Sequence, residues 1–108
     1  MITAVFSIRN GQPHGFHISG HSGYAPHGAD IVCSAVSSSV ILTANLLEQQ
    51  DNNLLAMCED GLFVLYSNEP CACPLLSGLQ SHLVALQKQY PQYIRVYNLI
   101  LNGGNTNV

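Results

Sequence analysis

The sequence has 108 residues, with six carboxylates against three lysine and arginine residues, and charged residues make up only 8% of it. A chain of this length fits one compact domain, and an apolar share of 47% excludes intrinsic disorder. So few cations provide no basic stripe for phosphates, and we expect no direct binding to nucleic acid or to a membrane surface.

The first elements are predicted to form a β-hairpin. Apolar residues occupy the even positions of 2–8, which is the period-two pattern of a half-buried strand. The pair Asn10-Gly11 follows, and it favours a tight turn because both residues tolerate positive φ. Phe16 and Ile18 continue the alternation, so a second strand is expected to pair with the first.

The next stretch is predicted to be a helix packed in the core. From Val32 to Leu47 apolar residues recur at three- and four-residue spacings, so one helical face is apolar while serines occupy much of the rest. Asp30 is suited to cap this helix, because its carboxylate can accept backbone N–H groups of the first turn. The stretch 31–47 is too short and too polar for a membrane span of about 20 apolar residues, and we expect no transmembrane helix.

A second hairpin is predicted after this helix. The β-prone runs 54–58 and 62–66 flank Asp60-Gly61, which supplies the turn between them. Cys58 lies within the first of these runs and is expected in the core.

A second helix and a last strand complete the predicted domain. The helix runs from near Pro74 to Tyr90, where Pro91 stops it. Residues 93–101 have the pattern of a strand. The apolar stripe of the helix contains Leu75, Leu79, Leu83 and Leu86.

The order ββαββαβ indicates an α+β fold, a single small domain over residues 1–101 with a mainly antiparallel sheet and two helices packed on one face. Residues 102–108 are rich in Gly and Asn and are predicted to form a flexible C-terminal tail. The low charge content favours a homodimer. Without a basic leader before an apolar run, a cytoplasmic protein with free cysteines is expected.

Residues 20–35 depart most from what folding alone requires, and they suggest a nucleophilic site. His21 stands at the entrance of a glycine-containing loop, and Cys33 stands at its exit, in the first turn of the predicted helix. Backbone N–H groups and the positive end of the helix dipole stabilise a thiolate there. If the loop folds back, His21 can act as the base, and the same N–H groups can stabilise an oxyanion.

Two further residues are candidates for supporting roles. Asp30 could orient His21 or only cap the helix, and the sequence leaves both roles open. Ser37 lies one turn beyond Cys33 on the same face, where its hydroxyl could donate to substrate or to the sulfur.

Other interpretations compete with catalysis. A cysteine near the start of a buried helix is most often a small apolar residue. His14 and His17 suggest a metal site together with the pair Cys71 and Cys73, but no spacing matches structural zinc, so no metal or cofactor is expected. Cys71 and Cys73 could alternatively act as a redox-responsive pair.

The run GHSGYAPHGADIVCSAVS, from Gly20 to Ser37, resembles the ribosomal-processing cysteine protease family Prp. The likeness covers most of the chain, and it implies a small fold of two helices against a sheet, usually as a homodimer. It also implies His21 as general base and Cys33 as nucleophile, with Asp30 at the position of the family's aspartate.

The resemblance further implies a loop that moves to admit a peptide, built here on Gly20, Ser22, Gly23 and Gly28. Relatives often have alanine where this chain has Ser22 and Ser34, which affects substrate preference more than the reaction.

Members of that family remove a short N-terminal extension from a bacterial large-subunit ribosomal protein, the one numbered twenty-seven, during ribosome assembly. The resemblance implies the same peptide-bond hydrolysis here. The alternative is a non-catalytic ribosome-assembly or peptide-binding module with the same fold, which holds a protein tail without cutting it.

Overall fold

The computed structural model describes residues 1–26 and 28–101, so the predicted tail at 102–108 lies outside the described residues. Strands β1 (Ile2–Arg9) and β2 (Gln12–Ser19) pair antiparallel around Asn10 and Gly11, both of which have positive φ. The even side chains of β1 are buried, as the alternation predicts.

Helix α1 (Ile31–Glu48) begins directly after Asp30, the predicted cap. Its 18 residues have a mean hydropathy of 1.6, enough by length and composition to cross a membrane. One face nevertheless packs into the same core as the sheet, so we interpret α1 as a core helix. The buried residues of that face are Val32, Val36, Val40, Thr43 and Leu47.

Strands β3 (Leu55–Glu59) and β4 (Leu62–Tyr66) form the second predicted hairpin. β4 pairs with β2, which leaves β3 at the edge of the sheet. Every residue of β3 is exposed, including Cys58. The expectation that Cys58 lies in the core is therefore wrong, because the alternation of a strand does not reveal whether a helix covers it.

Helix α2 (Ala72–Gln89) starts two residues before Pro74, which sits in the first turn, where a missing N–H costs nothing. Leu76 is fully buried, whereas the predicted stripe residue Leu75 is only partly buried against the core. After a short turn, strand β5 (Ile94–Leu101) returns along the sheet.

The sheet has the order β3-β4-β2-β1-β5. Three neighbouring pairs are antiparallel, and β1 with β5 is parallel, because the crossover through α2 returns β5 beside β1 in the same direction. The predicted α+β class and the ββαββαβ order are confirmed. A single apolar core between sheet and helices holds the start of α1 above the ends of β2 and β4.

Candidate active site

The loop that leads to α1 leaves β2 through a strained backbone position. Gly20 has a φ of 93°, and a Cβ on it would collide with the carbonyl oxygen of Met1. Its N–H donates to the carbonyl of Gly61 at 2.9 Å, which ties the loop to the β3–β4 turn. The next residue, His21, is therefore placed against that turn.

His21 has one ring nitrogen directed at the β3–β4 turn. Nε2 lies 3.8 Å from Oδ1 of Asp60. Gly61 has a φ of 72°, and a Cβ on it would come within 2.9 Å of the same nitrogen. Nδ1 is thus the ring nitrogen that remains for a second partner.

Cys33 lies in the first turn of α1 and is partly buried. Its sulfur accepts the backbone N–H of Ser22 at 3.3 Å. Among the described hydrogen bonds none joins Cys33 to His21. The structure brings the thiol to Ser22, the residue next to His21.

Asp30 is a buried anchor for both the helix and the loop. Oδ1 accepts the N–H groups of Val32 at 3.0 Å and Cys33 at 2.9 Å. Oδ2 accepts the hydroxyl of Ser22 and the N–H of Tyr24 at 3.2 Å, with the N–H of Ala25 at 3.4 Å. Neither oxygen has a described hydrogen bond to His21.

Two opposing effects set the charge of Asp30. Burial disfavours the carboxylate, but hydrogen bonds from the Ser22 hydroxyl and from the N–H groups of Cys33, Ala25 and Tyr24 outweigh burial. Together they lower the pKa of Asp30 from 3.8 to about 2. The residue is therefore a fixed negative charge beneath the loop at neutral pH.

This cap changes the expected oxyanion site. The N–H groups of Val32 and Cys33 already donate to Asp30, and that of Ser34 donates to the Asp30 carbonyl. These three N–H groups of the first turn are thus engaged, which leaves fewer donors for an oxyanion than the sequence suggests. The N–H of Ser22, which donates to the Cys33 sulfur, and the hydroxyl of Ser37, which lines the cavity, are other donors in this region.

A cavity of about 550 Å³ lies between the start of α1 and the β3–β4 turn. Ile18 and Phe63 contribute apolar lining. The loop residues Gly20, Gly23 and Gly28 also line it, whereas Ser22 is buried against Asp30. The polar lining comprises His21, Asp30, Cys33, Ser34, Ser37, Glu59 and Asp60.

Glu59 and Asp60 were not among the sequence candidates. The sequence marks Asp60-Gly61 only as a hairpin turn, and the pairing of β4 with β2 brings this turn to His21. No local sequence pattern predicts that pairing. The sequence indicates only that a carboxylate, Asp60, lies in a predicted turn.

The loop is also held by an aromatic contact at its far side. The ring of Tyr24 packs edge-on against Tyr90 and Tyr93, with centroids 5.6 and 5.2 Å away. Such pairs contribute about 0.5–1.5 kcal/mol beyond their buried area. The expected motion of the loop would have to break this contact.

The thiol–imidazole contact among the described hydrogen bonds lies away from the cavity. Cys73 Sγ is 3.8 Å from His14 Nε2, and His14 Nδ1 is 3.2 Å from the carbonyl oxygen of Ser67. Cys73 is only 6% exposed, so reagents reach it poorly. Within residues 1–26 and 28–101, no three His, Cys, Asp or Glu side chains converge as a metal site.

Comparison with known proteins gives a family match across most of the chain. The model of the family described as cysteine protease Prp matches residues 1–95. No curated protein matches the sequence.

Solved structures share the fold at low sequence identity. The essential ribosomal processing protease Prp from S. aureus, in complex with a covalently linked product peptide, is 23% identical with a TM-score of 0.84, over 92% of this chain and 100% of that one. The same protease in complex with a substrate peptide is 22% identical with a TM-score of 0.78, again over 92% of this chain and 100% of that one. SMU.848 from Streptococcus mutans is 24% identical with a TM-score of 0.75, over 94% of this chain and 96% of that one.

Proposed function

The chain belongs to the Prp family of cysteine proteases, and we propose that it hydrolyses peptide bonds with Cys33 as nucleophile and His21 as general base. The observation that carries the assignment is the position of Cys33 in a cavity of about 550 Å³ that His21 also lines. Cys73, the other cysteine near a histidine, is buried outside that cavity.

In the proposed reaction His21 removes the thiol proton, and the Cys33 sulfur attacks the scissile carbonyl carbon. The tetrahedral oxyanion then accepts hydrogen bonds from donors beside the sulfur, for which the Ser22 N–H and the Ser37 hydroxyl are suited. The C–N bond breaks, and the amine leaves with the proton from His21. Water, deprotonated by His21, finally hydrolyses the thioester and restores the thiol.

The substrate we propose is the N-terminal extension of the large-subunit ribosomal protein numbered twenty-seven. Support comes from the similar S. aureus protein, a ribosomal processing protease seen with a substrate peptide. Such a substrate places the enzyme in the cytoplasm, where bacterial ribosomes assemble. Finding the protein outside the cytoplasmic fraction of the cell would contradict that placement.

Cleavage of a synthetic peptide that spans this extension tests the proposal. Wild type should release both fragments by mass spectrometry, and Cys33→Ala and His21→Ala should lose at least about a hundredfold in rate, as expected for a nucleophile and a general base. Cys73→Ala is the matched control and should cleave like wild type.

Three results of this experiment would contradict the proposed function. If Cys33→Ala cleaves normally, the nucleophile is wrong. If Cys73→Ala alone is inactive, the second thiol is the catalytic one. If wild type binds the peptide without cutting it, the non-catalytic binding module is favoured instead.

We also propose a homodimer that forms through the open face of the sheet. The strand register aligns two rows of side chains on this face, and each row crosses the sheet from β3 to β5. One row runs from Met57 to Tyr97, and the other runs from Leu55 to Leu99. The apolar side chains that end these rows, Met57, Tyr97, Leu55 and Leu99, are at least half exposed, and exposed apolar side chains along both edges of one sheet face support an interface there.

Light scattering at micromolar concentration tests the dimer. Wild type should have twice the chain mass, and Met57→Glu should be monomeric. Leu42→Glu, an equally exposed change on α1, should remain dimeric. A monomeric wild type would contradict the proposal.

A further inference from the structure

The carboxylate nearest the ring of His21 belongs to the β3–β4 turn. Asp60 Oδ1 lies 3.8 Å from Nε2 of His21, as an ion pair when the ring is protonated. We propose that Asp60 is a positioning residue for His21: it holds the ring with Nε2 toward the turn and Nδ1 free for the thiol of Cys33. This inference rests on the proposed role of His21 as general base.

Asp30, the other acidic candidate for this role, is already engaged. Its two oxygens accept hydrogen bonds from the loop and from the first turn of α1. Turning either oxygen toward His21 would leave buried N–H groups without an acceptor, which costs about 1–3 kcal/mol for each group. The sequence left the role of Asp30 open, and these contacts are those of a cap and a loop anchor.

The turn that carries Asp60 is fixed against His21 by backbone geometry. The N–H of Gly20 donates to the carbonyl of Gly61 at 2.9 Å, so the residues beside His21 and beside Asp60 are joined directly. Gly61 lacks the Cβ that would come within 2.9 Å of Nε2. Asp60 thus approaches the ring from a hairpin that this hydrogen bond ties to the loop, and an orienting group must be held in such a way.

The effect of Asp60 should appear in turnover rather than in stability. The side chains are 58% exposed for His21 and 89% for Asp60, and a pair so exposed contributes little to folding. A peptide in the cavity excludes water from the pair and strengthens its attraction. When His21 takes the thiol proton, the carboxylate then stabilises the imidazolium in that position.

Other charged groups line this cavity, and their effects must be distinguished from that of Asp60. Glu59 is the neighbouring carboxylate, Asp30 lies buried below, and Cys33 is the group to be deprotonated. Glu59 has no described ion pair with His21, so it is the matched control for a change of one negative charge beside the same site.

The experiment compares Asp60→Asn, Asp60→Glu and Glu59→Gln in the peptide cleavage assay from pH 5 to 9. Asn-Gly supports the same turn as Asp-Gly, so Asp60→Asn keeps the hairpin while it removes the charge. We expect Asp60→Asn to lower kcat/KM roughly tenfold, less than in buried triads because the pair is exposed. The loss should be in kcat, with KM unchanged.

Asp60→Glu should recover part of the rate, Glu59→Gln should lose less kcat than Asp60→Asn, and all three variants should keep the thermal midpoint. Wild-type kcat in Asp60→Asn, while His21→Ala is inactive, would overturn the role of Asp60 and leave the proposed function intact. An equal loss of kcat in Glu59→Gln would also overturn it. Full activity of both His21→Ala and Cys33→Ala would instead overturn the proposed function.

Discussion

The backbone N–H of Ser22 donates to the sulfur of Cys33 at 3.3 Å, and this contact joins the loop to the first turn of α1. The hydroxyl of the same serine donates to Asp30 and accepts the N–H of Tyr24 at 3.1 Å. One buried residue therefore positions the thiol, the cap and the loop together. The side chain and the backbone of Ser22 make separate contacts, so substitution can test them separately.

Ser22→Ala should destabilise the fold while it leaves the contact to Cys33 in place. The change removes a hydroxyl donor from a buried carboxylate, which costs about 1–3 kcal/mol in the free energy of unfolding. Urea unfolding at pH 7 measures this loss. The control is Ser34→Ala, an exposed serine on α1 that should change stability by less than about 0.5 kcal/mol. Equal effects in the two variants would contradict the role of the Ser22 hydroxyl.

Asp30 should make stability depend on pH in the acidic range. Its pKa is lowered to about 2 in the folded protein, against 3.8 for the ordinary group, so the unfolded chain binds the proton first as pH falls. The stabilisation is therefore complete above about pH 5 and is lost progressively as pH falls toward 2.

Asp30→Ala should lower the free energy of unfolding by at least about 2 kcal/mol at pH 7, because it removes the N-cap and also the acceptor of the Ser22 hydroxyl and of the Tyr24 N–H. The difference from wild type should shrink between pH 5 and pH 3 in urea titrations. Asp60→Ala, an exposed carboxylate, should follow the wild-type pH dependence. If the free energy of unfolding of Asp30→Ala falls with pH as steeply as that of wild type, another group governs acid unfolding.

Sequence and structure agree where local pattern determines the element. The alternation of β1, the cap at Asp30 and the two hairpin turns were all predictable, because each depends on neighbours within a few residues. The exposure of Cys58 and the approach of Asp60 to His21 depend on which strands pair. Pairing of β4 with β2 is a contact between distant segments, and no spacing in the sequence reports it.

The thiols should differ in reactivity toward iodoacetamide. Cys33 lines the cavity and accepts an N–H, whereas Cys73 is buried. Peptide mass spectrometry across pH should show Cys33 alkylated faster than exposed Cys58 below pH 8. His21→Ala should remove that advantage and leave Cys58 unchanged. Equal rates for Cys33 and Cys58 in wild type would argue that Cys33 is a structural cysteine.

Gly61→Ala should disturb His21 in a way that Gly11→Ala does not. Both glycines occupy hairpin turns at positive φ, 72° and 78°, so alanine imposes similar backbone strain, about 1 kcal/mol, at either site. A Cβ at Gly61 also comes within 2.9 Å of the His21 ring, whereas a Cβ at Gly11 meets nothing within 4 Å. Peptide cleavage should therefore fall at least tenfold further in Gly61→Ala, although thermal unfolding shows matched losses of stability. Equal cleavage rates would mean that His21 tolerates displacement from the turn, and the close approach of Gly61 would then have no part in catalysis.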